Sequence, residues 1–450
     1  MDHFDLIIIG TGSGNSLLTS DFDDWNVAIV ERDVFGGTCL NRGCIPSKMF
    51  IYPSSIVEAV RTADRLGVDA QVNEVRWTEI VDRVFGRIDP IAAGGEEWRK
   101  SLDNITVFNA DARIVGPKQV DVGDRVITAD TIVLAAGARP RIPDIEGLDS
   151  VRYQTSATVM RLREVPRRMA VLGGGFIACE MAHVFGSAGA AVTIVNRSKM
   201  LLRAEDDDIS ERFTEVYRDR FTLRCGEAPN SIRQDESGEI TLEFPTGDPL
   251  VVDELLVATG RIPNGEQLGV THTGVALDDA GYVVVDEHGR TGVEGIWALG
   301  DISNPMQLKH TANAETRMIA HNIHHPDDLQ TTHYSGTPSA VFADPQVASV
   351  GKTEQQLQAE GTEYITHTQP YAATAYGWAM EDEHGFCKVI ADPNTRLLLG
   401  AHIIGHEASL LIQQLILGMR FDLTVDQMAR GPLYPHPALS EVVEQALLEL

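Results

Sequence analysis

Phe4-Asp-Leu-Ile-Ile-Ile-Gly10-Thr-Gly12-Ser-Gly14-Asn15 is the stretch on which the fold turns. Residues 4–10 form an apolar run stopped at a glycine, the pattern of a buried strand entering a tight turn. Gly10, Gly12 and Gly14 open that turn, and the chain beyond Asn15 is expected to be helical. A second apolar strand, Asn26-Val-Ala-Ile-Val30, runs into Glu31, 21 residues after Gly10. Strand, glycine turn, helix, strand and acid make a βαβ unit. Its turn offers backbone N–H groups to a pyrophosphate, and its acid accepts from a ribose hydroxyl. Asn15 departs from the pattern at the third glycine position, where a small residue permits close packing, and Gly14 is expected to relax the turn instead.

The unit recurs about 160 residues later. Arg168-Met-Ala-Val-Leu172 reads as a strand, Gly173-Gly-Gly175-Phe176-Ile-Ala178 as the turn, residues 179–188 as a helix and Ala191-Val-Thr-Ile-Val195 as the next strand. Two such units predict two dinucleotide sites. The second strand ends not in an acid but in Asn196-Arg197, with Lys199 and Arg203 close behind. Arginine there favours the 2′-phosphate of NADPH through charge-assisted hydrogen bonds, whereas an acid favours NADH.

Two further strands stop at glycine, one at Gly137 before Ala-Arg-Pro140 and one at Gly260 before Arg261-Ile-Pro-Asn264. A short strand follows in Gly295-Ile-Trp-Ala-Leu-Gly300-Asp301. Beyond about residue 330 strand-like and turn-like stretches alternate, as in 338–342 and 385–390, and 409–419 is helix-like. This predicts a separate α+β domain. A chain of 450 residues exceeds what one hydrophobic core supports, so several domains are expected.

The net charge of −28 argues against nucleic acid or an anionic membrane as partner. No apolar run reaches the roughly 20 residues a membrane helix needs. The acidic start Met1-Asp2-His3-Phe4-Asp5 has no basic region, so no export signal and a cytoplasmic location are expected.

Of five cysteines, Cys39, Cys44, Cys179, Cys225 and Cys387, only the first two are close in sequence. Two thiols without a second Cys or His pair at ligand spacing do not make a closed zinc site, so no metal is expected and redox chemistry is left. Four residues separate them, a span that one helical turn or tight loop can bridge. A reduced pair would attack a substrate disulfide by thiolate exchange. Exchange needs an acid–base near neutral pH. Among 14 histidines, His436 stands out: prolines flank it in Tyr434-Pro-His436-Pro-Ala-Leu-Ser-Glu441, and Glu441 could orient its ring.

The run Gly37-Thr38-Cys39…Gly43-Cys44-Ile-Pro-Ser-Lys48 resembles the redox signature of the class I flavoprotein disulfide reductases, the family of glutathione reductase, dihydrolipoamide dehydrogenase and mercuric reductase. Ala258-Thr-Gly260-Arg261-Ile-Pro-Asn264, Ala298-Leu-Gly-Asp301 and His436-Pro-Ala-Leu-Ser-Glu441 match its other signatures, in order along essentially the whole chain. The resemblance implies FAD on the first unit, with Asp301 on its ribitol and Glu31 on the adenosine ribose. It implies NADPH on the second unit, Cys39 as the thiol that attacks substrate and Cys44 as the thiol against the flavin. Lys48 and Glu180 would form an ion pair beside the flavin, and Phe176 would stand where many relatives gate the nicotinamide pocket with tyrosine. The implied assembly is a homodimer in which His436 and Glu441 serve the cysteines of the other subunit.

The implied domains are 1–150 and 271–330 for FAD, 151–270 for the nicotinamide cofactor and 331–450 for dimerisation. Within the family the chain is most similar to the mycothione reductase branch, which implies a small disulfide as substrate. Dihydrolipoamide dehydrogenase and glutathione reductase are the alternatives in the family. A dehydrogenase component docked in a complex is an alternative of another class, and a redox-inactive nucleotide-binding relative is disfavoured by the intact Cys39, Cys44 and His436.

Overall fold

The computed structural model describes residues 2–450. The chain divides into two compact units: residues 2–47, Glu79–Arg141 and Gly260–Tyr334 form one, and Lys48–Thr78, Ile142–Thr259 and Ser335–Leu450 the other. No helix among the described residues is long and apolar enough to cross a membrane.

In the first unit the strand Asp2–Ile9 lies between Val27–Glu31 and Val126–Leu134, all parallel, with Ile7 opposite Ala28 on one side and Ile132 on the other. Ile105–Asn109 continues the sheet beyond Val27–Glu31. Val126–Leu134 carries two neighbours along its other edge: antiparallel Gln119–Asp121 on its first half and parallel Ile296–Ala298 on its second. The apolar run 4–9 needs no alternation because both faces are covered. Ile7 and Ile9 pack with Ala28, Val30 and Ile132 on one side, while Leu6 and Ile8 pack with Val27, Ile29 and Val133 on the other. Burial of each such side chain contributes roughly 1.5–3 kcal/mol.

The helix expected after Asn15 is not α-helical. Gly14–Leu17 and Ser20–Phe22 are single 3-10 turns. The reason is local: Thr19, Ser20, Asp21, Asp23 and Asp24 favour caps and turns over helix interior, and Thr19 already caps the second turn by accepting from Asp21 N.

The second unit carries the repeat of the βαβ pattern. Its parallel sheet has the order Thr222–Cys225, Ala191–Asn196, Arg168–Leu172, Glu254–Val257. The helix Phe176–Ser187 joins the second and third of these. A three-stranded antiparallel ribbon of Ser231–Gln234, Ile240–Glu243 and Leu250–Val252 follows.

The C-terminal α+β part holds a five-stranded antiparallel sheet in the order Pro338–Val341, Gln346–Gly351, Leu398–Gly405, Phe386–Ala391, Ile365–Pro370. One face packs under the helices Ala408–Arg420 and Glu441–Leu448 through Val350, Val389, Ile403, Ile412, Leu415, Val442 and Val443. The strand period of two sends Lys388 and His402 to the other face. There Lys388, almost wholly buried, donates to Asp206 at 2.8 Å and Asp208 at 2.7 Å, at the start of the helix Asp207–Arg220. Burial alone would lower the lysine pKa, but Asp206, Asp208 and Glu354 push it above the ordinary lysine range.

Candidate active site

The first glycine turn is held from several sides within its unit. Thr11 donates from both its N–H (2.9 Å) and its hydroxyl (2.6 Å) to Glu31, and its hydroxyl accepts from Gly36 N. Glu31 thus ties the end of the second strand to the turn. Gly14 carries the close packing that the third glycine position usually supplies: a Cβ there would fall 2.6 Å from that of Ala135 and 3.2 Å from Ile8. Asn15 is instead a polar anchor. The buried Arg99 donates to its side-chain oxygen and to its carbonyl, both at 2.8 Å.

Gly37 brings the cysteines to this turn. A Cβ on Gly37 would stand 2.6 Å from the Cα of Gly12, so only glycine lets the short helix Gly37–Arg42 touch the turn. Thr38 is exposed and Cys39 half-buried in that helix. Gly43 interrupts it, and Cys44 opens the next helix, Cys44–Arg61. Both cysteines are free thiols. A hydrogen bond with the Cys44 side chain, then burial, then the charge on Cys44 raise the Cys39 pKa far above the ordinary thiol range, while Lys309 acts in the opposite sense.

Gly10 ends the first strand, and Gly137 and Gly260 precede the short antiparallel pair Ala138–Pro140 and Arg261–Pro263. Arg261 donates to the Ala138 carbonyl at 2.6 Å and lies 3.7 Å from Asp301. Burial raises the Asp301 pKa, and Arg261 offsets part of this. The loop around Asp301 is fixed by a residue that sequence reasoning missed. Buried Glu315 accepts from Gly300 N (2.7 Å), Asn304 (2.6 Å) and the Tyr334 hydroxyl (2.8 Å). Glu315 lies on the helix Lys309–His324, which also grips Ser13: Lys309 donates to the Ser13 hydroxyl at 2.8 Å, and Thr316 to its carbonyl at 3.3 Å. No sequence signal links these positions, which lie about 300 residues apart.

These residues fit a flavin nucleotide. The Gly12–Gly37 contact leaves a cradle of bare backbone, and the Thr311 hydroxyl near the start of Lys309–His324 is buried without a hydrogen-bond partner among the described residues.

In the second unit Lys48 meets Glu180 at 2.8 and 3.0 Å. Glu180 is buried and also accepts from Phe342 N at 3.0 Å, and the Lys48 ammonium lies 4.3 Å from the centre of the Phe342 ring. Sequence reasoning missed Phe342. Lys48 is one turn beyond Cys44 on the same helix. Gly173 ends the first strand of the repeat and Gly175 caps the helix Phe176–Ser187, whose first residue, Phe176, is exposed. The loop after Asn196 folds back on this turn: Asn196 donates to the Ser198 and Met200 carbonyls, and Leu202 N donates to the Gly174 carbonyl at 2.7 Å. Arg197 and Arg203 on this loop are exposed, with no carboxylate at ion-pair distance among the described residues.

His436 lies in the C-terminal part, its side chain 72% exposed, with Nδ1 2.7 Å from a Glu441 oxygen. The other Glu441 oxygen accepts from Ala438 N at 2.9 Å. The hydrogen bond from His436, then that from Ala438 N, hold the Glu441 carboxyl below the ordinary range. With Nδ1 engaged, Nε2 is the nitrogen left to exchange protons. Among the described residues no group of three or more His, Cys, Asp or Glu is arranged to hold a metal.

Residues 4–316 match the pyridine nucleotide-disulphide oxidoreductase family, and residues 337–447 match its dimerisation domain. The chain belongs to this family: it is a homodimeric flavoprotein and a disulfide oxidoreductase. It is 46% identical over 462 residues to mycothione reductase of Mycobacterium tuberculosis (strain CDC 1551 / Oshkosh), with 100% of both chains covered. It is 34% identical to dihydrolipoyl dehydrogenase of Chlamydia muridarum, over 99% of this chain and 96% of that one. The Cu(II) complex of the HOCl-induced flavoprotein disulfide reductase RclA from Escherichia coli is similar to it with a TM-score of 0.88 at 25% identity, covering 100% of each chain.

Proposed function

We propose that this enzyme is an NADPH-dependent reductase of a low-molecular-weight disulfide, with mycothione as substrate. The observation that carries the substrate is the 46% identity, over full length, to a protein named mycothione reductase. Mycothione carries essentially no charge, whereas glutathione disulfide carries several carboxylates and needs local cations. Of the two basic runs in this acidic chain, 161–168 and 197–203, the second follows the nucleotide strand and is assigned to NADPH.

In this reading segments 1–150 and 271–330 hold FAD, 151–270 the nicotinamide cofactor and 331–450 the dimer contact. Glu31 and Asp301 hold the ribose and ribitol. Arg197 and Arg203 take the 2′-phosphate, Phe176 covers the nicotinamide pocket, and Lys48 with Glu180 lies at the redox end of the flavin. Bound FAD supplies a relay for two electrons from the nicotinamide hydride to the Cys39–Cys44 disulfide. Reduction breaks that S–S bond and leaves one thiol and one thiolate, in this reading the proton on Cys39 and the charge on Cys44. His436 of the partner subunit, oriented by its Glu441, removes the Cys39 proton. The Cys39 thiolate attacks one substrate sulfur, the substrate S–S bond breaks, and the departing thiolate takes that proton from His436. Cys44 then attacks the Cys39 sulfur of the mixed disulfide, which restores the disulfide and expels the second product as a thiolate that takes the second proton from solvent.

The test is steady-state turnover of the purified enzyme with NADPH against mycothione, glutathione disulfide and lipoamide. The expected result is the highest kcat/KM with mycothione. A higher value with either of the others overturns the substrate and leaves the disulfide oxidoreductase.

A further inference from the structure

Phe342 follows the strand Pro338–Val341, and Val341 and Ala343 on either side of it are buried. Neighbours along an extended chain alternate between faces, so Phe342 is turned away from the core that Val341 and Ala343 fill, and it is half-buried. It meets instead two side chains of the same unit, one from each of two helices. Its backbone N–H donates to Glu180 at 3.0 Å, and the Lys48 ammonium stands 4.3 Å from the centre of its ring. Glu180, on the helix Phe176–Ser187, is buried, and its two oxygens also accept from Lys48 at 2.8 and 3.0 Å. Lys48 belongs to the helix Cys44–Arg61. One residue of a third segment therefore touches both members of the ion pair. The two contacts differ in kind. The N–H adds a hydrogen bond to a buried carboxylate, which offsets part of the cost of its burial. The ring attracts the ammonium through the negative charge of its face, and brings no second anion to compete with Glu180.

We propose that Phe342 is a positioning residue for flavin reduction: its N–H seats the Glu180 carboxylate, and its ring holds the Lys48 ammonium in one place against that carboxylate. The inference rests on the reading that puts the Lys48–Glu180 pair at the redox end of the flavin. A cation fixed there before the hydride arrives favours the negative charge that comes with it, and nothing has to reorganise during the step. The lysine stem is long and flexible, and one carboxylate leaves the ammonium free to swing about the contact. The ring closes a second side. Phe342 has no titratable or redox group, so its side chain acts on the reaction only through Lys48. The N–H contact to Glu180 survives a change of side chain, and such a change tests the ring alone.

The experiment uses the full-length holoenzyme and follows flavin reduction by NADPH in anaerobic stopped flow. Phe342→Leu and Phe342→Met keep an apolar side chain and the N–H but remove the ring. Each should slow flavin reduction by roughly two- to thirtyfold, the span of a cation–π contact from exposed to desolvated sites. Phe342→Tyr keeps the ring face and should stay within about twofold of the unsubstituted enzyme. A second readout is independent of turnover. Acetylation of Lys48 by acetic anhydride in the holoenzyme, quantified by peptide mass spectrometry, should be faster in Phe342→Leu and Phe342→Met and unchanged in Phe342→Tyr. In a Lys48→Met background, Phe342→Leu should add less than about twofold, because the two residues then share one lost interaction. Loss of stability in the ring-less variants with flavin reduction and Lys48 labelling both unchanged overturns the proposal, since packing alone would do that. So does a full additional loss in the Lys48→Met background. The functional reading fails separately: Lys48→Met would then reduce its flavin as fast as the unsubstituted enzyme.

Discussion

At the scale of single residues, chemistry is divided by charge. Arg197 and Arg203 are exposed cations on a loop pinned to the second glycine turn. Losing one charged hydrogen bond to a phosphate costs about 1.5–3 kcal/mol. Arg197→Ala should therefore lower kcat/KM for NADPH by roughly ten- to 150-fold and leave NADH turnover nearly unchanged. Equal losses with both cofactors would show that Arg197 does not read the 2′-phosphate. Glu441 belongs to the same scale. Its carboxyl is held low by His436 and Ala438 N, and a depressed carboxylate stabilises the folded chain at neutral pH. That contribution is complete above the ordinary carboxylate range and disappears as pH falls through the lowered value. Glu441→Gln should flatten the acid limb of unfolding below the ordinary carboxylate range and reduce disulfide turnover by about 100-fold, with flavin reduction by NADPH still fast. Slowed flavin reduction would place Glu441 in a different half-reaction. These residues were legible because each lies in a short motif. Glu315, Arg99 and Phe342 were not, since their partners are brought together only by the fold.

At the scale of elements, the contact between the first glycine turn and the helix Gly37–Arg42 decides where the cysteines sit. Gly37→Ala forces a Cβ to within 2.6 Å of the Gly12 backbone at a φ of +68°, so helix or turn must shift. Gly67→Ala is the control: its φ of +77° is as unfavourable, but its surroundings are open. The control should cost about 1 kcal/mol from backbone strain. Gly37→Ala should cost about 1–3 kcal/mol more and loosen flavin retention, read by urea unfolding and by ultrafiltration. Equal stability and equal flavin content in the two variants would mean that the close approach is not needed. Sequence reading did less well on the segment 15–26, where the βαβ template predicts a helix and two 3-10 turns stand instead, the second capped by Thr19. Periodicity identifies a buried strand well because burial on both faces leaves a continuous apolar run. It says little about a short connection whose shape is set by side chains bonding to their own backbone.

At the scale of the whole molecule, the exposed His436–Glu441 pair and the dimerisation domain make the proposed site a property of two chains. Cys39→Ser and His436→Ala homodimers should each be nearly inactive in disulfide reduction. Unfolding and refolding an equal mixture should restore about a quarter of full activity, because half the dimers are mixed and each mixed dimer holds one complete site. Recovery no greater than the average of the two parents would place His436 and Cys39 of one chain in the same site.

What the amino-acid sequence determined by itself is the set of local devices: glycine turns after apolar strands, paired cysteines, the loop cations, and a histidine with an acid five residues on. Each works over a few residues, so backbone conformation and spacing specify it directly. Only the tertiary structure decided how the turn tolerates Asn15, through Arg99; how the Asp301 loop is fixed, through Glu315; and that Lys309 reaches Ser13 in the first glycine turn. Those relations join positions far apart in the chain. They arise from side-chain packing and hydrogen bonding between elements, which no spacing in a single sequence encodes.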